Sequence, residues 1–171
     1  MTNEKDLEHH VDKTLWPAGP WMDEPDRVEW RYRDYPCLIV RNRLGNLCGY
    51  AGVNESHPYF ERDYGALQDK VDVHGGLTYA DHCQDHICHV PKANELKHVW
   101  WFGFDCAHYN DFIPGGQIDM NGLANYIKDP DGFKEAFKKT FMVNDGQTYR
   151  DIGYVKEEVE SLVDQLIELE K

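Results

Sequence analysis

The run Pro36-Cys37-Leu38-Ile39-Val40-Arg41-Asn42-Arg43-Leu44-Gly45-Asn46-Leu47-Cys48-Gly49-Tyr50-Ala51-Gly52-Val53 decides the fold. It holds two apolar stretches, 36–42 around Leu38-Ile39-Val40 and 47–53, separated by the turn residues Leu44-Gly45-Asn46. Extended apolar runs joined by so short a polar connection form an antiparallel hairpin. Upstream, Val28 to Arg33 alternates: Val28, Trp30 and Tyr32 fall on one face, and Glu29, Arg31 and Arg33 on the other. Such alternation predicts a half-buried strand. Before it, Trp16-Pro17-Ala18-Gly19-Pro20-Trp21 breaks any helix, so 17–26 reads as an extended lead-in and 1–16 as a mobile arm or short helix.

Downstream, residues 64–70 read as one or two helical turns, and Val71 to Tyr79 as a fourth strand that contains His74-Gly75-Gly76. Val99 to Phe104 is apolar on both faces, which predicts a strand inside the sheet. Residues 118–147 read as an insertion with a weak helix at 131–141. Ile152, Val155, Val159, Leu162, Val163 and Leu166 follow spacings of three and four, with Asp151 placed to cap. That pattern is an amphipathic helix of about five turns. Its outer face carries Glu157, Glu158, Glu160, Asp164 and Glu168, read as solvated. The fold class is α+β: a single domain over 1–171, mainly antiparallel sheet, covered by the C-terminal helix.

Charge narrows the partners. Against 31 Asp and Glu stand 18 Lys and Arg, giving a net charge of -13. Polymeric DNA or RNA and anionic membranes both require clustered basic residues, so neither is an expected partner. No apolar run approaches the length of a transmembrane helix, and 1–13 lacks the apolar core of a signal peptide, so the expected location is the cytoplasm. There the five cysteines, at 37, 48, 83, 88 and 106, are expected as buried thiols and not as disulfides.

Six of the nine histidines and three of the five cysteines lie between 74 and 108. Within this stretch His82, Cys83, His86 and Cys88 are zinc-type ligands at short spacing, although no Cys-x-x-Cys pair completes a finger. Directly after the apolar strand come Asp105, His108 and Asp111. If 71–79 pairs with 99–104, His74 meets them. The four would then hold a divalent metal that activates a water, or act as an acid–base pair whose aspartate fixes the histidine tautomer. The alternative is that Asp105 and His108 only tie the loop together. Gly75 and Gly76 permit close approach of a ligand or another backbone, and Thr78 and Trp101 are expected to line the same pocket. Five of the seven arginines lie within 27–43, and Arg31 and Arg41 are the expected anion contacts.

Three longer motifs, Cys48-Gly49-Tyr50-Ala51-Gly52-Val53 with His57-Pro58, Val73-His74-Gly75-Gly76-Leu77-Thr78-Tyr79, and Trp100-Trp101-Phe102-Gly103-Phe104-Asp105-Cys106-Ala107-His108, occur with Tyr149-Arg150-Asp151 and Tyr154-Val155 before the last helix. Together they resemble a family of small proteins encoded by bacteriophages and prophages, over most of 17–168. The resemblance implies an accessory protein made in the host cytoplasm and implies nothing about chemistry. By analogy such proteins counter host defence, which leaves three readings. The first is a pocket that sequesters a small nucleotide-like, phosphate-bearing signal. The second is a hydrolase, metal-dependent or not, that cleaves such a signal through His74, Asp105, His108 and Asp111. The third is an acidic inhibitor that mimics DNA or docks on a host protein. Sequestration ranks first, because the sequence displays no complete catalytic set; homo-oligomer formation stays open.

Overall fold

In the computed structural model the described residues are 7–91, 93, 98–116 and 146–171. Among the described residues, five strands, β1 (Arg27–Tyr32), β2 (Tyr35–Arg41), β3 (Leu47–Val53), β4 (Tyr79–Asp81) and β5 (Trp100–Asp105), precede one long helix, α1 (Ile152–Glu168). They form a single sheet in the order β1-β2-β3-β5-β4, with every neighbouring pair antiparallel. The α+β class with the helix over the sheet is therefore as expected.

Local chemistry explains the hairpins. Arg33 (φ 48) and Asp34 (φ 67) turn β1 into β2, and both are left-handed. Two such residues in succession match the right-handed twist of the flanking strands. The second turn uses Gly45 at φ 108, with Asn42 N–H donating to Asn46 O at 2.8 Å. Asp151 caps α1 by accepting from Tyr154 N–H at 2.8 Å, which satisfies one of the helix's orphan donors.

Alternation along the central strands feeds two cores. Cys37, Ile39, Ala51, Val53, Phe102 and Phe104 meet Val155, Val159, Leu162, Val163 and Leu166 of α1. Each fully buried aliphatic side chain there contributes about 1.5–3 kcal/mol. Gly49 is where helix and sheet approach most tightly, since a Cβ there would lie 2.6 Å from both Phe104 and Val159. On the opposite face Leu38, Val40, Cys48, Tyr50, Val99 and Trp101 are covered by Tyr79, Cys83 and Ile87. The sheet is thus covered on both sides, by a helix on one and by an irregular chain on the other.

Two expectations change. Residues 71–78 are not a strand: Gly75 (φ 68) and Gly76 (φ 83) leave the extended region, and pairing with β5 begins only at Thr78 N–H to Gly103 O, 2.9 Å. Of the expected arm or short helix at 1–16, residues 8–16 form no helix and are docked by buried Trp16 and by Val11 N–H donating to Asp26 at 2.8 Å, while 1–6 lie outside the described residues. The expected helix at 131–141, like nearly all of the expected insertion at 118–147, lies outside the described residues. Among the described residues no helix is long and apolar enough to cross a membrane.

Candidate functional site

Three segments converge beyond the C-terminal end of β5. One is the irregular stretch 71–78, the second is the loop 106–116 that leaves β5, and the third is the start of α1. Asp111 is their meeting point and is only 2% exposed. Its Oδ2 accepts from His74 Nε2 at 2.7 Å, from the His108 backbone N–H at 2.9 Å and from His108 Nδ1 at 3.3 Å. Its Oδ1 accepts from Arg150 Nε at 3.0 Å. Burial alone would raise the Asp111 carboxyl, but the bonds from His74, the His108 amide and Arg150 outweigh it and hold the group below the ordinary aspartate range. The loop itself is fixed by Thr148 N–H to Asn110 O and Phe112 N–H to Thr148 O, both 2.8 Å.

His74 is held from both sides. Its Nδ1 meets the Tyr154 hydroxyl at 2.8 Å, and its backbone N–H donates to Glu158 at 2.8 Å. Glu158 is thus not simply part of a solvated helix face. The Tyr154 hydroxyl is raised by burial and then by Glu158, so it stays protonated. The His108 ring lies against Gly75, where a Cβ would sit 2.1 Å from the ring carbon Cε1. Glycine is therefore required twice here, for the positive φ and for the ring. The pair of glycines accommodates a protein side chain at Gly75, whereas space is open beside Gly76.

His108 is the outward member of the cluster, with its side chain 37% exposed. Its Nε2 lies 3.9 Å from Asp105 Oδ1, and Asp105 in turn accepts from the Thr78 hydroxyl at 3.0 Å. His74, Thr78, Asp105, His108 and Asp111 thus form one connected polar network. Two side chains at the start of the helix, Arg150 and Tyr154, complete it, although the sequence points to them only as part of a motif before the last helix. Their signal lay in Arg150 directly preceding the cap, and in Tyr154 and Glu158 sharing a helix face at a spacing of four. Arg150 stacks on the Tyr154 ring at 4.8 Å. Its Nη atoms have no hydrogen-bond partner among the described residues.

Other expected members lie elsewhere. Trp101 is fully buried on the far face of the sheet with Leu38 and Tyr50, because in β5 it alternates away from Phe102 and Phe104. Arg41 is no anion contact. It is 0% exposed, and its donors reach Asp26 (2.8 Å), Glu24 (3.0 Å), the Tyr149 hydroxyl (2.7 Å) and the carbonyls of Gly45 (3.0 Å) and Pro25 (3.3 Å). Arg31 donates to Asp34 O at 2.8 Å and lines a groove of about 610 Å³ with Arg33, Tyr35, Ser56 and His89, apart from His74.

The four expected zinc ligands do not form one set. His82 packs against Trp100 at 4.7 Å with Glu61 at 3.2 Å, and His86 packs against His9 at 4.5 Å. Cys83 and Cys88 are bonded to each other, contrary to the expectation of thiols throughout. Their proximity comes from the tight turn in which Gln84 and Ile87 pair backbone to backbone. Cys37, Cys48 and Cys106 are buried thiols as expected. Burial pushes Cys37 and Cys48 up to about 12 and Cys106 higher still, so none is a thiolate nucleophile.

Two kinds of chemistry fit the network. The donor atoms of His74, His108 and Asp111 all lie within 4.8 Å of one another, which suits a divalent cation. The same carboxylate, however, already accepts three hydrogen bonds on Oδ2 and holds a guanidinium on Oδ1. Its lone pairs are thus largely occupied, and the guanidinium beside it opposes a second positive charge. No family model, no curated protein and no solved structure matches this chain.

Proposed function

We propose that the His74–His108–Asp111 network is the active centre of a hydrolase acting on a small, phosphate-bearing molecule of the nucleotide class. The observation that carries this reading is the sharing of buried Asp111 by both imidazoles while the His108 side chain stays 37% exposed. An ionised Asp111 at Nδ1 selects the tautomer whose Nε2 is a base. His108 then takes a proton from a water, and the hydroxide attacks phosphorus. The P–O bond to the leaving group breaks, and the His108 imidazolium returns its proton to the leaving oxygen. Asp105 at 3.9 Å stabilises that imidazolium. Arg150, with its Nη edge available among the described residues, is suited to the phosphate oxygens. His74, engaged at both ring nitrogens, positions Asp111.

With the resemblance of the motifs to small phage proteins taken as an expectation, the proposed setting is a host cytoplasm and the proposed substrate a nucleotide-like signal of host defence. A second reading, sequestration of the same class of ligand without turnover, is favoured by the groove of about 610 Å³ beside Arg31 and Arg33, a size that suits one such molecule. Incubation of the protein below stoichiometry with cyclic and linear nucleotides separates the two. Hydrolysis predicts multiple turnovers, and His108→Ala is expected to lower the rate by about 10²–10⁴-fold while the melting temperature hardly changes. Ligand recovered intact from denatured protein, in every combination, would favour sequestration. Running the assay with manganese and after chelation distinguishes proton transfer by His108 from a hydroxide on a metal held by the three ligands.

A further inference from the structure

The second concentration of chemistry lies on the face opposite the helix. There residues 81–89 fold back over Trp101, with Cys83, Cys88 and His89 at the tip of the turn and behind it. Cys88 is 6% and His89 3% exposed, and the two sulfurs and an imidazole nitrogen of His89 lie within 4.8 Å of one another. His89 packs edge-on against the Trp101 ring at 5.8 Å. These are two soft ligands and one borderline ligand, the set that zinc prefers over harder cations.

The disulfide is not the sole bond that holds the turn. Gln84 and Ile87 exchange backbone hydrogen bonds of 3.1 and 2.8 Å. Arg27, anchored on β1, donates through Nη2 to Cys88 O at 2.6 Å and through Nε to His86 O at 3.4 Å. Side chains on a backbone pinned in this way remain neighbours after the sulfur–sulfur bond is cut.

We propose that the reduced protein binds a thiophilic divalent cation, zinc being the expected one, through Cys83, Cys88 and His89. Reduction by a dithiol or phosphine adds two electrons and two protons to the disulfide and gives two thiols. The cation displaces those two protons and takes two thiolates and one imidazole nitrogen. Three protein donors leave a fourth tetrahedral position for water. Zinc–sulfur bonds of about 2.3 Å place tetrahedral sulfurs about 3.8 Å apart, so only side-chain rotation within the pinned turn is needed. The oxidised protein has no thiolate here, so metal binding is switched by redox state. The inference is independent of the chemistry at His108.

Cobalt(II) titration of the full chain tests it, because a thiolate-to-cobalt charge-transfer band reports sulfur ligation and the His74–His108–Asp111 network contains no sulfur. Phosphine-reduced protein is expected to show the band at one equivalent of cobalt, and zinc should bleach it. The oxidised protein should show none. Cys88→Ser should abolish the band, and His89→Ala should weaken cobalt binding tenfold or more. The wild-type comparison of reduced and oxidised protein requires no variant to fold. No band in the reduced protein overturns the proposal, as does a band that survives Cys88→Ser and so arises from another cysteine. Unchanged cobalt affinity in His89→Ala overturns the assignment of the third ligand.

Discussion

Two polar clusters hold the irregular parts of this protein to its sheet, and they are built to opposite ends. Around Arg41, the guanidinium is fully buried and its contacts run to Asp26, Glu24, Tyr149 and two carbonyls, with Lys13 closing on Asp26 at 2.8 Å. Around Asp111, the carboxylate is just as buried, but its partners His108 and Arg150 reach the surface, with side chains 37% and 25% exposed. The first cluster is the more enclosed: Arg41 is answered entirely from within, and Glu24 and Lys13 keep only 17% and 14% of their side chains exposed. The second ends in groups facing outward. A buried charge whose partners are all internal specifies structure, whereas one whose partners keep an exposed edge can act on something else.

Arg41→Ala breaks the closed cluster and carries the largest expected effect on stability. It leaves Asp26 and Glu24 without their buried partner, and losing one side of such a pair costs about 3–5 kcal/mol. Chemical denaturation measures this, and a loss under about 1 kcal/mol would mean that Arg41 is not the anchor its contacts indicate. Any activity should fall only in proportion to the folded fraction.

Gly75→Ala probes the open cluster from its backbone. A left-handed alanine costs about 1–2 kcal/mol, and its Cβ would also meet the His108 ring at 2.1 Å. The expected result is a moderate drop in melting temperature together with a disproportionate loss of turnover, because the ring must leave Asp111. Turnover falling no further than the folded fraction would remove His108 from the chemistry.

Acid sharpens the contrast most gently. In Asp26, burial raises the carboxyl, but Lys13, the Val11 amide and Arg41 outweigh it, so that group too lies below the ordinary range, as Asp111 does. A depressed folded-state value contributes stability that is fully present above the unfolded value near 3.8 and is lost as pH falls through the folded one. Both clusters should therefore hold at neutral and mildly acidic pH and fail only below the usual aspartate range. In Asp26→Asn and Asp111→Asn variants, acid unfolding should lose part of its steepness. Unaltered acid profiles in both would show that neither carboxylate is linked to folding.

Much of the frame was legible in the residues. Alternation in 28–33, the paired runs around Gly45 and the three-and-four spacing after Asp151 each state a local geometry, and the strands, hairpin and helix follow. Period and turn chemistry act over a few residues, so the sequence determines them directly. It also placed His74, Asp105, His108 and Asp111 within a short span and made their meeting conditional on one pairing. That condition held in an altered form: 71–78 is irregular, and the left-handed glycines bring His74 to Asp111 where an extended strand would have carried it past. Only the tertiary structure decided the rest. Arg41 was buried with carboxylates from 24 and 26, Trp101 was sent to the far face, the sulfurs at 83 and 88 were brought together, and Arg150 and Tyr154 were added to the network from the far end of the chain. Each of these depends on which surfaces the sheet order leaves to be covered and which distant segment covers them, and no local periodicity encodes that choice.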